Sequence, residues 1–483
     1  MEIKNIQRKS YNFSPNENTK KTSSIWKNLI ILSIPVAVYL LFQHLGQAID
    51  YFIIGEPVKN HDIDGVLTYL KQVKKVFQSI AVSLSGAGII LVTREYKNKN
   101  IEKAKNYTAL AFLFTIIISS SIFIIYFLGN LITLPGFFSG FILNKEYKEN
   151  PDALLCYNIS LLTSLFIAIN SVFIGLERAK DRKKFVLFVN ILNITVRIIL
   201  SFLYKGIRGT NNVSLTDLAF ADFYSTLLIS FLAFFFIFRS KNDFRIQFTK
   251  INIDKFFLKS FFKLSSVLII GKATYEIGKQ LINDKVITYY DFDRGNEILG
   301  IAGLVAVVNG IFYAIALSFE DSQTVMVSQN LSIKKNNLKT VKIFKIAIII
   351  TFIIGIMGIL SNYFFGERIL KFLKPDKTFA DETMKGFKEI LFWEQMSLFT
   401  SVFSVLIMGY IVACKKSANI VVILNMLRII LRISCLSILF NHFDSALTPY
   451  QQFGLSTGIS NIIVLFVSIG IFIIFLNKNK EKN

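Results

Sequence analysis

Cysteine is scarce in this chain of 483 residues, which holds only Cys156, Cys414 and Cys435. Their spacing is neither that of a metal site nor that of a redox pair. Each lies in or beside an apolar segment. We therefore expect buried, inert thiols and no metal or redox chemistry at cysteine.

Histidine is equally rare, with His44, His61 and His442 alone. No nucleophile–base pair or metal spacing surrounds them, which argues against an integral membrane enzyme such as an acyl or glycosyl transferase. His44 lies about one and a half turns before Asp50 in the same apolar segment, and it is a candidate pH sensor.

Charged residues make up only 18% of the chain, against 53% hydrophobic residues and a mean hydropathy of +0.52. This composition excludes a soluble globule and a disordered chain. Apolar stretches of about 20 residues recur, long enough to cross a bilayer as helices. A cleavable signal peptide is not expected, because the N-terminus is polar and the apolar stretch from Leu29 to Ile54 is too long. The predicted spans are 25–55, 65–94, 101–128, 152–176, 184–204, 214–239, 256–290, 297–329, 338–365, 385–413, 416–440 and 450–477.

The net charge of +22 is distributed unevenly. Basic residues collect in the N-terminal tail, in alternate loops and at Lys478, Lys480 and Lys482. The other loops hold few, except the Arg368 to Lys388 connection. This positive-inside pattern predicts that both termini are cytoplasmic and that the number of spans is even. We expect a multi-pass protein of the plasma membrane. The pattern predicts the lipid bilayer as a partner and argues against nucleic acid.

The sequence repeats itself at a distance of 234 or 235 residues. The segments that begin at Asn190 and Asn425 are identical at five of nine positions. A duplicated bundle with polar residues in the membrane is common among secondary transporters, whose site lies between the halves. Further repeated residues are Gly175 with Gly409, Asp50 with Asp284, and Ser225 with Ser460.

The repeat predicts two lobes of six helices, related by a pseudo-two-fold axis along the membrane normal. We expect an N-lobe over 25–240 and a C-lobe over 256–477, joined by a cytoplasmic linker over 241–255. The remaining segments, 1–24 and 478–483, are expected to be cytoplasmic tails, the first of them disordered.

Among the charged residues of the predicted spans we single out twelve as candidates, because one charge at a helix centre costs about 2.5–3.5 kcal/mol. If all faced lipid, the cost would be about 30 kcal/mol, beyond the usual stability of a fold. Most must therefore line a wet cavity, lie near the interface or pair with each other; for each one, a structural ion pair is the alternative to a functional role. They are Asp50, Arg197, Asp222, Lys272, Glu276, Lys279, Asp284, Glu320, Asp321, Glu394, Arg428 and Arg432.

The clearest polar stripe is on the seventh predicted span. Lys272, Glu276, Lys279 and Asn283 are spaced by three or four residues, so they share one helical face. We expect this helix to line a polar cavity.

Several different short motifs are spread along nearly the whole chain. They are Ile34-Pro35, Gln47 to Gly55, Gly86 to Gly88, Val92 to Tyr96, Ile101 to Ala104, Val327 to Leu331, Leu338 to Val341, Ile369 to Asp376 and Gly409 to Lys415. Together they resemble the multidrug and toxic compound extrusion (MATE) family, within the superfamily that includes lipid-linked oligosaccharide and polysaccharide flippases. The flippases of peptidoglycan synthesis usually have two helices more than the twelve spans predicted here, which favours the extrusion branch.

The resemblance implies a cation-coupling site in the first lobe. In that family a carboxylate on the first helix, with polar groups on helices four to six, binds the coupling proton or sodium ion. Asp50, Asn170 and Asn193 match those positions, while Arg197 and Asp222 depart from the usual residues nearby.

If Asp50, Arg197 and Asp222 converge, their net charge is −1, which leaves room for one proton or one monovalent cation. A carboxylate would titrate, because arginine does not release its proton. The alternative is that Arg197 neutralises Asp50 permanently and the cluster is structural. No cofactor is expected beyond H⁺ or Na⁺, and no bound metal.

The resemblance also implies a V-shaped cavity between the lobes. Its expected charges are mixed rather than acidic, so an anionic or zwitterionic amphiphile is an alternative to a lipophilic cation. The residues expected to line it are Gln43, Gln47, Lys272, Glu276, Lys279, Asp284, Glu320, Arg428 and Arg432.

These observations predict an all-α integral membrane protein of about twelve transmembrane helices in two pseudo-symmetric six-helix lobes. The expected function is cation-coupled antiport, by a monomer, that exports small amphiphilic compounds by alternating access. The first alternative is a flippase for a lipid-linked or anionic lipid, and a second is a scaffold that transports nothing.

Overall fold

The computed structural model describes residues 23–54, 63–97, 100–131, 143–179, 182–209, 213–239, 246, 251–253, 255–334, 337–374, 381–415 and 419–480. Most of the predicted N-terminal tail, most of the 241–255 linker and residues 481–483 lie outside these ranges. The proposed lobe boundaries at those places remain predictions.

Twelve helices of 24 residues or more run through the described residues, one for each predicted span. A five-residue helix, Lys145–Glu149, precedes the fourth. The long helices are α1 (Ser23–Ile53), α2 (Ile63–Lys97), α3 (Ile101–Leu131), α4 (Pro151–Ala179), α5 (Lys183–Arg208), α6 (Leu215–Phe238), α7 (Lys255–Tyr289), α8 (Phe292–Lys334), α9 (Asn337–Leu373), α10 (Asp381–Lys415), α11 (Asn419–Phe443) and α12 (Pro449–Lys480).

Local sequence fixes several helix ends. Ser214 begins α6 with a capping box, in which its hydroxyl accepts from the Asp217 backbone N–H and the Asp217 carboxylate accepts from the Ser214 N–H, satisfying donors that a helix start leaves open. Gly209 follows the last residue of α5, Arg208, and its φ of 86° suits glycine. Only Tyr290 and Asp291 join α7 to α8, with Asp291 at a φ of 63°.

Eleven of these helices are long and apolar enough to cross a membrane. The exception among the described helices is α7, whose 35 residues include the charged stripe with Lys272, Glu276 and Lys279. A spanning helix can carry such residues when they face protein or a wet cavity. The prediction of a multi-pass, all-α membrane protein with about twelve spans is confirmed.

The helices α1–α6, here the first half, pack in the same pattern as α7–α12, the second half. In the first half α1 packs on α5, α2 on α3 and α4, α4 on α6, and α5 on α6. In the second half α7 packs on α11, α8 on α9 and α10, α10 on α12, and α11 on α12. Each contact thus recurs six helices later, as expected for a duplicated bundle.

The repeated glycines and serines have matching surroundings. A side chain at Gly175 would collide with Ile89 of α2, and one at Gly409 would collide with Glu320 and Thr324 of α8. The buried hydroxyls of Ser225 and Ser460 each donate to the carbonyl oxygen three residues before them, at 3.0 Å in both cases. The repeat therefore preserves close helix contacts in both halves.

The two halves meet along α1 and α2 from one side and α7 and α8 from the other. Helix α1 packs on α8, α2 packs on α7, and α2 also packs on α8. The candidate site lies where these four helices meet, and α10, α11 and α12 complete its wall.

Candidate functional site

A cavity of about 540 Å³ lies between the two halves. Helices α1 and α2 form one wall, and α7, α8, α10, α11 and α12 form the other. Six of the nine residues that the sequence places in the cavity do line it: Gln43, Gln47, Glu276, Lys279, Arg428 and Arg432.

Lys272, Asp284 and Glu320 do not line this cavity. Lys272 lies one turn nearer the start of α7 than the cavity reaches, and its side chain is exposed. Asp284 accepts a hydrogen bond from the Tyr69 hydroxyl at 2.6 Å. Glu320 lies against Gly409, where it fills space between α8 and α10.

The cavity wall is predominantly basic. Lys71 and Lys75 project from α2, Lys279 from α7, and Arg428 and Arg432 from α11, against the two carboxylates Glu276 and Glu394. Counted over these lysine, arginine and glutamate side chains, the lining has a net charge of +3. A cleft lined by charges of one sign concentrates ligands of the opposite sign.

Glu276 is already occupied by protein groups. The Gln72 amide donates to its carboxylate at 2.9 Å and to its backbone oxygen at 3.0 Å, which ties α2 to α7. Lys279 lies 3.9 Å from the same carboxylate and 4.3 Å from the centre of the Tyr275 ring. Glu276 thus offsets part of the positive charge on its own helix.

The first half holds the predicted cluster of Asp50, Arg197 and Asp222. The Arg197 guanidinium lies 2.6 Å from the Asp50 carboxylate and 3.3 Å from that of Asp222. Two lysines of α2 complete the cluster: Lys71 lies 3.0 Å from Asp50, and Lys74 pairs with Asp222. We call these five residues the first-half network.

The two lysines change the charge of the cluster. The three residues predicted from sequence carry −1, whereas the first-half network carries +1. Asp50 is only 2% exposed and is bound by two cations, so it is fully paired without a coupling ion. In the described residues, no group of three or more histidine, cysteine, aspartate and glutamate side chains is placed to hold a metal ion.

The two predicted asparagines lie on neighbouring helices. The buried Asn170 amide donates to the Thr226 carbonyl at 3.0 Å and accepts from the Ser230 hydroxyl at 2.9 Å, joining α4 to α6. Asn193 lies one turn before Arg197 on α5, and its buried amide oxygen has no hydrogen-bond partner. The structure therefore brings together the charged residues of the predicted coupling site, with Asn170 engaged elsewhere.

Sequence reasoning missed Lys71, Lys74 and Lys75. All three lie inside the predicted span 65–94, and the cost of charges in the membrane would have identified them. It also missed Tyr275 and Gln72, for which the sequence carries no comparable signal.

Buried polar contacts join the halves at the end of the bundle where α1 ends and α2 begins. Lys374 of the second half lies 2.9 Å from Asp64, with both side chains at most 5% exposed, and donates to the Ile54 carbonyl at 3.3 Å. The Tyr147 hydroxyl donates to Asn296 at 2.5 Å. We call these contacts, which join the two halves at this end of the bundle, the closing network.

Comparison with known proteins adds to this description. Residues 35–203 match the MatE family model. The chain is similar to the inward-facing structure of a multidrug resistance MATE family transporter of the MOP superfamily, with a TM-score of 0.78 at 14% identity over 94% of this chain and 99% of that one. An outward-facing structure of such a transporter gives 0.70 at 15% identity, over 96% and 100%.

A MOP superfamily transporter from Pyrococcus furiosus gives a TM-score of 0.68 at 15% identity, over 94% of this chain and 99% of that one. No curated protein sequence matches the chain. The resemblance drawn from the short motifs is confirmed. This chain is a multi-pass membrane protein whose residues 35–203 match the MatE family model and which has, over nearly its whole length, the fold of the MATE family transporters.

Proposed function

We propose that this chain is an alternating-access transporter for small amphiphilic compounds with an anionic head group. The observation that supports this proposal is the central cavity, whose lining combines five basic side chains with two carboxylates. We further propose that it acts as a monomer in the plasma membrane. The distribution of basic residues between loops supports an orientation with both termini cytoplasmic.

The charge of the cavity separates anionic from cationic substrates. Two unit charges about 8 Å apart interact with about 2 kcal/mol at an effective dielectric constant of 20. The net charge of +3 in the wall therefore makes the binding free energy of a lipophilic cation less favourable by several such pairwise interactions. It makes the binding free energy of an anion more favourable by a similar amount. The Pyrococcus furiosus relative is described by a reverse polarity of its binding pocket that suggests a different function, which supports the same reasoning for this fold.

Coupling of transport to H⁺ or Na⁺ at Asp50 stays a prediction. The first-half network carries +1, and Asp50 is already held by Arg197 and Lys71, so this site offers a sodium ion little attraction. A role for Asp50 in transport then requires a conformation in which one of these pairs opens.

The second candidate is a flippase that moves an anionic or lipid-linked substrate between leaflets. The same basic wall favours it, because phosphate groups are the common charge of such lipids. The two candidates differ in whether an imposed ion gradient drives the movement.

The test uses proteoliposomes that contain fluorescent amphiphiles of equal chain length, one with a phosphate head group and one with an amine. Dithionite, which destroys only fluorophores in the outer leaflet, reports their movement across the bilayer. We expect movement of the phosphate probe only, and faster movement of the amine probe would contradict the proposal. Dependence on a proton or sodium gradient supports antiport, and independence supports the flippase.

A matched pair of variants tests the role of the cavity charge. Lys75→Glu changes the cavity charge by two units, whereas Lys272→Glu makes the same change outside the cavity. We expect the first to slow movement of the phosphate probe and the second to leave it unchanged. Equal effects would show that overall charge, rather than the cavity, attracts the probe.

A further inference from the structure

Helix α11 presents two arginines to the cavity. Arg428 and Arg432 are one turn apart, so they lie on the same face of the helix, and both line the cavity. Arg428 is only 6% exposed. Neither guanidinium forms an ion pair within the part of the chain that the structure describes.

Two guanidinium nitrogens of Arg428 lack a hydrogen-bond partner and lie on the same edge of the group. Its Nε and Nη2 are both buried and lack a hydrogen-bond partner. These two nitrogens form one edge of the planar guanidinium, the fork that binds two oxygens of a phosphate or carboxylate at once. A buried charge without a partner is costly, and an oxyanion on this fork would remove that cost.

Aromatic rings lie beside the cations of this cavity wall and do not neutralise their charge. The Arg428 guanidinium lies 5.7 Å from the centre of the Tyr275 ring, and the Lys279 ammonium lies 4.3 Å from it. The Arg432 guanidinium lies 5.0 Å from the centre of the Phe453 ring. The electron-rich faces of these rings stabilise cations without occupying the fork.

We propose that Arg428, with Arg432 and Lys279 beside it, forms the subsite for the oxyanion of the substrate head group. This inference rests on the proposed transport of anionic amphiphiles and places recognition on the second half, on α7 and α11. Arg428 is the residue that selects a head group able to accept two parallel hydrogen bonds. The apolar part of the substrate then lies against Ile282 and Val307 of the same cavity.

Calorimetric titration of the purified protein in micelles tests this subsite. The probes are octyl phosphate, octanoate and octyltrimethylammonium, which share one chain length. We expect wild type to bind the phosphate or the carboxylate more tightly than the ammonium. If only the phosphate responds to changes at Arg428, the head group is a phosphate; if both respond, either oxyanion is accepted.

The variants separate a bidentate contact from general charge. Loss of hydrogen bonds to a charged group corresponds to roughly ten- to a hundredfold weaker binding, so Arg428→Gln should raise the Kd of the anionic probe by about that factor. Arg428→Lys keeps the charge and loses the fork, and we expect an intermediate Kd. The control Lys272→Gln removes a cation outside the cavity and should bind as wild type does.

Gel filtration and thermal melting identify a variant that fails to fold. If Arg428→Gln fails to fold, the Kd of the anionic probe for Arg428→Lys tests the subsite instead. A folded Arg428 variant that binds the anionic probe as tightly as wild type overturns the subsite while leaving the proposed function standing. The absence of binding of either anion to wild type overturns the proposed function itself.

Discussion

The first-half network makes a quantitative prediction for Asp50→Asn. The Asp50 carboxylate is 2% exposed and accepts from Arg197 at 2.6 Å and pairs with Lys71 at 3.0 Å. Neutralising it leaves two cations side by side, and removing one partner of a buried ion pair costs about 3–5 kcal/mol. Because Arg197 and Lys71 are about one fifth exposed, we expect the low end, about 3 kcal/mol.

The free energy of unfolding can be measured by adding SDS to the protein in mixed micelles and following tryptophan fluorescence. The matched control is Asp284→Asn, the equivalent position in the second half. Asp284 accepts a hydrogen bond from Tyr69, and an asparagine oxygen can still accept it. We expect a loss of less than about 1 kcal/mol there, the usual net value of one hydrogen bond.

Transport by the same two variants decides between a structural and a coupling role. If Asp50→Asn unfolds as wild type does, yet loses transport driven by a proton or sodium gradient, the reasoning from the paired carboxylate is refuted. In that case Asp50 is the coupling residue that the family resemblance implies. A large loss of stability, together with residual transport in the folded fraction, supports a structural network.

Two further predictions concern the closing network and the repeated glycine. Lys374→Met removes one partner of the buried ion pair with Asp64 and should open this end of the cavity. The reporter is Thr68→Cys in a chain without native cysteines. We expect an impermeant maleimide, applied from that side, to label this cysteine faster in the Lys374→Met variant. An unchanged rate would be evidence against a closing role. Gly409→Ala should lower the midpoint of thermal unfolding, because the added methyl group would collide with side chains of α8. In the control Gly206→Ala the methyl group meets no neighbouring atom. This control should leave the midpoint unchanged or raise it. Equal midpoints for the two glycine variants would contradict the proposed close contact.

The sequence predicted the number and order of the helices correctly. A membrane span must be long and apolar, and each of the twelve predicted stretches corresponds to one long helix. Even α7, which is too charged to count as a span by hydropathy, was among the predicted spans, at 256–290. The family resemblance assigned Asp50, Arg197 and Asp222 to one coupling site on α1, α5 and α6, and the structure brings their side chains into contact.

The packing of the helices decides which partners the charged residues around the site contact and which of these residues line the cavity. Lys71 and Lys74 reach the carboxylates of α1 and α6 only because α2 packs between the halves, and this changes the net charge of the cluster from negative to positive. Likewise, Lys272 shares a helical face with Glu276 but lies beyond the end of the cavity. Length and hydropathy are properties of each segment alone, so the sequence determined the helices and their repeat. The charge that a site presents depends on the rotation and depth of several helices at once, and only the tertiary structure decides these.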